Sequence, residues 1–522
     1  MTQVLKPHRA RIMREDLHAD VTIIGAGFAG LVAGALLTQK GHKVRVLERD
    51  IHPGGCAARY ERKHALGTFG FAVGATVCAG LEQGGLFYNI FQKLGIQKNL
   101  PNLDPVMRLH LNGQQVQVAG TRAGWATELA RAFPSQLVQK QKFWREIQSF
   151  ADTMHHAARR YPSMPWKSLA DVWDTAQGIH PGVLKVLLNL NRTVGDLLEK
   201  HKINDPAHKA FIDGQLLDSM QCISQQCALP NGAYALEVYR YGAQYVPGGL
   251  ASLAEDLANY IDRNGSKIHY ATRAKGILQE GGKVRGIEAH GRNFISPVVI
   301  STAPIHDTLK LVNDRRLASV AKKLEHLPEV WGAFTLYIGV DEKVLPKNLG
   351  LFEQIVRFDE HGLTDNFLVS ISAPNDSRRA PPGYRSVTIS THVKPQDFFG
   401  LSEDAYHEQK QRLEHKILSL LEAHFPGFTG GIVLLESGSP RTFERFTLHS
   451  LGRVGGIPQM PHSANFNALH HVSGVPGLFF AGETIFPGQG TLGVAVSGFN
   501  SARSSERYLK QHHTHHSMQT VS

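Results

Sequence analysis

The chain has 522 residues, four of them cysteine, with 42% hydrophobic and 19% charged side chains. This length exceeds one compact core and the composition excludes wholesale disorder; so few cysteines exclude a disulfide framework and point to a reducing, cytoplasmic setting. The formal net charge of +11 fits nucleic acid, an anionic membrane surface, or an uneven surface with no partner; no nucleic-acid-binding module is visible, and the membrane surface is the partner expected on electrostatic grounds.

Residues 1–19 read as a loose basic arm without the apolar stretch of a secretory signal. No apolar run reaches the roughly 18 residues needed to span a bilayer. Val21-Thr22-Ile23-Ile24 then reads as a buried parallel strand, Leu31 to Lys40 as a helix stopped by Gly41, and Val44 to Leu47 as a second strand. Between the first strand and the helix lies G-x-G-x-x-G at Gly25, Gly27 and Gly30. Gly25 permits the tight turn, Gly27 lets backbone approach a pyrophosphate, and Gly30 lets helix and strand pack closely. The phosphates then sit where unpaired N–H groups and the helix dipole favour negative charge. Glu48, at the end of the next strand, is placed to accept ribose hydroxyl hydrogen bonds. The strand before, the helix after and the acid beyond make this a dinucleotide site. Arg49 and the Pro53-Gly54-Gly55 turn extend the signal toward flavoproteins.

The middle of the chain is less explicit. Residues 120–235 are mostly helical in pattern. A helix carrying Leu250, Leu253, Leu257 and Ile261 feeds strand-like segments at 267–278, 283–289 and 292–301, a β-meander ending in a buried strand. Residues 330–400 are strand-rich, and a long amphipathic helix follows at about 404–424.

Near the end, Gly477 to Ala481 reads as a strand, Gly482-Glu483 ends it, and Thr491 to Arg503 reads as a helix kept slim by Gly493, Ala495, Ser497 and Gly498. Interior helical glycine costs about 0.5–1 kcal/mol relative to alanine. A close neighbour is the natural compensation: a flavin ring laid against the helix N-terminus, or a second helix. Residues 509–522, with His512, His513, His515 and His516, read as a loose His-rich tail.

These segments together resemble the phytoene desaturase and carotenoid isomerase family of flavoproteins over roughly residues 19–508. The resemblance rests on GAGFAGLVAG with Glu48 and PGGCAARY, on VPGGLASLAEDLANYI with KVRGIEAHG and VVISTAP, and on AGETIFPGQGTLGVAVSG. The stretches GATVCAGLEQGGLFYNIF and NRTVGDLLEKHKINDP look closest to the carotenoid 3′,4′-desaturases and carotenoid isomerases. Two positions depart from the pattern: Cys56 stands where many desaturases have arginine, and Phe71-Ala72-Val73-Gly74 lacks the usual aspartate.

The resemblance implies an α/β fold, a Rossmann-type FAD-binding domain with an inserted mixed α+β substrate domain. The FAD-binding parts are expected at 20–110, 235–305 and 470–508, and the substrate parts at 111–234 and 306–469. It implies FAD held by Gly25, Gly27, Gly30 and Glu48, with Ala274 offering a backbone contact to the adenine. Gly482 and Glu483 would face the pyrophosphate and ribityl chain, and Gly493 and Val494 the flavin ring. The implied activity is desaturation of a long apolar carotenoid by hydride transfer to flavin, on a protein sitting at a membrane surface. A redox-neutral cis–trans isomerase, a flavin amine oxidase and a non-catalytic prenyl-binding relative are the alternatives. No catalytic base is identifiable; His42, His52 and His64 read as surface or packing residues. No metal and no catalytic cysteine are expected, because Cys222 and Cys227 lack a ligand spacing and Cys56 fits as a small residue in a tight turn.

Overall fold

The computed structural model describes residues 17–74 and 76–519, side chains from 512 onward excepted. The expected N-terminal arm falls almost wholly outside these residues, and so do the side chains of the four tail histidines.

A five-stranded parallel sheet forms the centre of the cofactor half, in the order Leu478–Phe480, Val298–Ser301, Val21–Ile24, Val44–Leu47, Lys267–His269. Its strands are short continuous apolar runs because both faces are covered. The helix Phe28–Gln39 crosses over between the first two strands in sequence. It starts three residues earlier than its sequence pattern suggests, and eleven of its twelve residues are buried. Leu31, Val32 and Leu37 are fully enclosed, each contributing about 1.5–3 kcal/mol of apolar burial. The helix Ala251–Arg263 and the final helix Gly490–Gln519 pack against it. That last helix continues through most of the segment expected from residue 509 as a loose tail.

The segment read as one strand at 267–278 is two. Lys267–His269 closes the edge of the parallel sheet, whereas Ala274–Glu280 opens an antiparallel meander with Lys283–Ala289 and Arg292–Ile295. Ala271, with φ +49°, makes the corner between them.

The other half is built on a seven-stranded mixed sheet in the order Ile432–Gly438, Gly332–Asp341, Tyr384–Val393, Gly362–Ile371, Phe352–Asp359, Met107–Leu111, Gln114–Val118. Met107–Leu111 already belongs to this sheet, pairing in parallel with Phe352–Asp359. The helix Glu403–His424 covers one side through Ile417, Leu420 and Leu421. A helical layer between residues 122 and 241 packs with the sheet edge at Met107–Leu111 and Phe352, around Trp125, Phe143 and Phe211. Within it, the helix Pro206–Met220 begins at Asp205, whose carboxylate accepts from Ala207 N and His208 N, with Pro206 at its first position. It ends at Gln221 in the left-handed conformation, φ +62°.

Candidate flavin and substrate site

One cavity of about 1500 Å³ runs from the glycine-rich turn of the parallel sheet into the space between the seven-stranded sheet and the helical layer. Gly25, Gly27, Glu48, Arg49, Gly54, Gly55, Ala274, Gly482, Glu483, Gly493 and Val494 all line it. Gly30 does not.

The three motif glycines have different reasons. Gly25 takes φ +97°, and a Cβ there would lie 2.5 Å from Thr302 Oγ1. A Cβ at Gly30 would lie 2.1 Å from the Gly25 carbonyl oxygen, so this residue allows the helix to sit on the turn and faces no ligand space. Gly27 has ordinary φ, −72°, and a Cβ would meet nothing within 4 Å. It is the N-cap of Phe28–Gln39, with no capping side chain and no acid in the first turn. The helix therefore presents unpaired N–H groups and the positive end of its dipole to open space, the arrangement a pyrophosphate requires. Gly54, φ +120°, donates its N–H to Ala26 O, which brings the second glycine pair against this turn.

Glu48 is buried, and its oxygens accept from Ala26 N at 2.6 Å and Asp50 N at 2.8 Å. Burial raises its pKa and the two N–H bonds oppose the rise. These bonds fix the carboxylate at the cavity wall and leave each oxygen a further lone pair for a hydroxyl donor. Ala274 sits where the meander begins, beside Thr272 and Arg273 in the wall.

Gly482 ends its strand at φ +108°, and its N–H donates to Ser497 Oγ at 3.1 Å. The Glu483 carboxylate stands 3.9 Å from His449 Nδ1. Gly493 and Val494 border the cavity at the start of the final helix. Gly498 does not: a Cβ there would lie 2.3 Å from Ala29 O. Its compensation is helix–helix packing against Phe28–Gln39, not a flavin ring.

Cys56 is open to the cavity while the protein around it raises its thiol pKa through desolvation, the opposite of what an activated thiolate needs. Cys222 and Cys227 are buried packing residues. Phe87 and Phe91 belong to the cofactor-side core, Phe87 meeting Phe28 edge-on at 5.4 Å. Asp171, His470 and His471 bring their donor atoms within 4.8 Å of one another. Their hydrogen bonds are used: His470 Nδ1 accepts from Val472 N, so its Nε2 carries the proton given to Asp171, and His471 Nε2 meets Ser504 Oγ. The trio pins residues 163–171 to the cofactor half.

The sequence offered no acid or base; the structure places a half-buried carboxylate, Asp218, in the cavity wall beyond the flavin cradle. Asp218, in the last turn of Pro206–Met220, lines the cavity. Its oxygens accept from Asn366 Nδ2 at 2.8 Å and Gln354 Nε2 at 2.7 Å. His392 Nδ1 lies 3.6 Å away, and burial lowers that imidazole's pKa to about 4, so it is neutral. Desolvation pushes Asp218 up to about 7 despite the two amide bonds. The negative end of its helix dipole disfavours the charge further. The next residue, Ser219, accepts at its carbonyl from the Gln489 side chain, which ties Asp218 to the turn before Gly490. These groups come from residues 215–219, 354, 366 and 392, with no local spacing to reveal them.

A family model described as flavin-containing amine oxidoreductase matches residues 28–504. Prolycopene isomerase from Daucus carota is 29% identical over 494 residues, covering 92% of this chain and 78% of the relative. The neurosporene-forming phytoene desaturase of Rhodobacter capsulatus is 25% identical over 514 residues, covering 91% and 92%. Among solved structures, an oxidoreductase from Methanosarcina mazei superposes with a TM-score of 0.61 at 19% identity, covering 92% of this chain and 99% of that one. Cyclohexylamine oxidase from Brevibacterium oxydans gives 0.58 at 14%, covering 94% and 99%. The two structures share the fold. With the open glycine cradle and the buried carboxylate beside it, the family match places this chain in the flavin-containing amine oxidoreductase family, among the phytoene desaturases and carotenoid isomerases, as an FAD-dependent oxidoreductase.

Proposed function

We propose that this protein dehydrogenates a long apolar carotenoid polyene, with Asp218 as the proton acceptor. The reading rests on one observation: the cavity that begins at the dinucleotide cradle continues without a break into an apolar chamber whose wall carries Asp218. The N–H groups at Gly27, the Glu48 carboxylate and the backbone at Gly54, Gly55, Ala274 and Gly482 would hold FAD, with Arg49 and Glu483 beside it and Gly493 and Val494 at its ring. When bound, FAD supplies a two-electron acceptor for a hydride leaving carbon.

The protein must then take a proton from the neighbouring carbon. Asp218 can do so because its pKa of about 7 leaves both protonation states accessible near neutral pH. Asn366 and Gln354 hold its two oxygens by neutral amides. Desolvation favours the carboxylic acid once the proton arrives. Met154, Val186 and Leu190 in the chamber wall present hydrocarbon to hydrocarbon and keep water from the reacting bond.

A redox-neutral cis–trans isomerisation is the second reading, favoured by the four prolycopene isomerases at 28–29% identity. FAD-loaded protein should be incubated with partly saturated and with poly-cis carotenoids in detergent, and the products resolved by chromatography and mass. Loss of two hydrogens per new double bond is expected. Unchanged mass with altered geometry would replace dehydrogenation by isomerisation. Inert polyenes, with peroxide released from amines, would remove both.

A further inference from the structure

We propose that Gln489 is a positioning residue that couples the flavin site to Asp218. Its side chain links the turn before the final helix to the end of the helix that carries the carboxylate, so that a bound cofactor sets where Asp218 stands. The coupling rests on FAD binding alone; its use in catalysis rests on the reading of Asp218 as proton acceptor.

The last carbonyls of an α-helix have no partner within the helix. At the end of Pro206–Met220 three successive carbonyls are taken up by three separate parts of the chain. Ser219 O accepts from Gln489 Nε2, in the turn before Gly490. Met220 O accepts from Gln459 N at 3.0 Å. Gln221 O accepts from the Trp331 indole at 2.9 Å, one residue before the strand Gly332–Asp341. Asp218 stands directly before the first of these bonds. Its own carboxylate is held by Gln354 and Asn366 of the seven-stranded sheet, with His392 of the same sheet beside it. Gln489 relates it to the cofactor half.

Two observations single out Gln489 among the three holds. First, Pro487, Gln489, Gly490, Gly493 and Val494 line the cavity in one continuous stretch of chain, whereas Trp331 does not line it. The open side of this turn is the flavin site itself. Second, the Gln489 amide is half satisfied. Its Oε1 is buried with no hydrogen-bond partner, so the bond to Ser219 is the one hydrogen bond of this side chain among the described residues. A buried amide in that state stays in place only where its surroundings hold it there. The turn supplies that hold. Gly488 takes φ +120°, and a Cβ there would lie 2.5 Å from Gln459 Nε2, so the turn is seated against the residue that also binds Met220 O. Pressure on the cavity side of the turn reaches the Asp218 helix through this one amide. A base must stand in register with the hydride acceptor, since a misplacement of about 1 Å costs about 10²-fold in rate.

The test is hydrogen exchange of backbone amides, read by mass spectrometry on the whole chain with and without saturating FAD. In the wild type, FAD should slow exchange at residues 215–221 by about tenfold or more, together with the cradle at 25–31. Gln489→Met is close in size and has no amide; Gln489→Asn is an amide too short to reach. In both, FAD should still protect the cradle, while protection at 215–221 falls to about threefold or less. Trp331→Phe removes the neighbouring hold on the same helix end. It should speed exchange there in both states and keep the FAD-dependent difference, as a merely structural anchor does. At saturating FAD, Gln489→Met should lower kcat on polyene by about tenfold to a hundredfold with KM within about twofold. Equal FAD protection of 215–221 in the wild type and both Gln489 variants would overturn the proposal. So would a wild type in which FAD protects the cradle alone, or Gln489 variants in which it protects neither region. Coupling lost in the variants with kcat unchanged, or with no polyene turned over by any of these proteins, would leave the coupling standing and remove the catalytic reading of Asp218 alone.

Discussion

Replacing Asp218 by Asn tests the proton acceptor directly. Folding lifts the Asp218 pKa from 3.8 to about 7. Three pH units at about 1.4 kcal/mol each disfavour the half-buried carboxylate by at most roughly 4 kcal/mol. The folded pKa lies above the unfolded one, so the stabilisation belongs to the protonated form, is complete below the unfolded pKa, and is lost as pH rises through about 7. Between about pH 5 and pH 8 the wild type should lose roughly 2–3 kcal/mol that the Asn variant does not. Urea denaturation at matched, saturating FAD measures this difference. In turnover, the wild-type rate should climb with pH to a plateau with a bend near 7, as a base must be deprotonated to act. The variant should be slower by a factor of about 10² to 10⁴ and lack the bend. A variant within about threefold of the wild-type rate, keeping a bend near 7, would refute Asp218 as the base.

Four further substitutions probe the frame of the site. Gly30→Ala should destabilise the protein by about 1–3 kcal/mol or more, because its Cβ meets the Gly25 carbonyl oxygen at 2.1 Å; Gly27→Ala, with nothing within 4 Å, should change FAD-free stability by less than about 1 kcal/mol yet weaken FAD binding by about tenfold or more in a flavin fluorescence titration. Gly498→Ala should cost about 1–3 kcal/mol in chemical denaturation by pushing the final helix off Ala29, and should leave the flavin spectrum at saturating FAD unchanged. Asp174→Asn removes the buried partner of Arg503 and should destabilise by about 3 kcal/mol, with faster proteolysis between residues 163 and 190 as the local readout.

The cofactor cradle was legible because its chemistry is local. Gly25, Gly27, Gly30 and Glu48 sit on one β–α–β unit, where the turn, the helix start and the next strand end follow each other within 24 residues. Each demand leaves its mark on a fixed position. The final helix was legible only in part. Gly493 and Gly498 look alike in sequence, but one borders the cavity and the other packs on Ala29. A glycine states that something comes close, not what. The strand at 267–278 was misread for a related reason: Lys267–His269 and Ala274–Glu280 are continuous in pattern, and only the corner at Ala271 divides them between two sheets.

The substrate chamber was illegible because no segment of it is complete. Asp218 becomes an acid–base candidate only when Gln354 and Asn366, more than 130 residues on, hold it in the cavity wall away from water. On its own helix it is one more polar residue near a C-terminus. The helix Leu169–Ala176 misleads in the opposite direction. Leu169, Val172 and Trp173 have the spacing of a core-facing stripe, and Asp171 and Asp174 that of a solvent face. The structure reverses both, because Arg503 and Arg507 wait on the inner side. Periodicity reports that a helix has two unlike faces; which face meets solvent is decided by what lies on the other side. An apolar stripe therefore does not say by itself whether it faces the core, and here the buried partners of the polar face turn it outward.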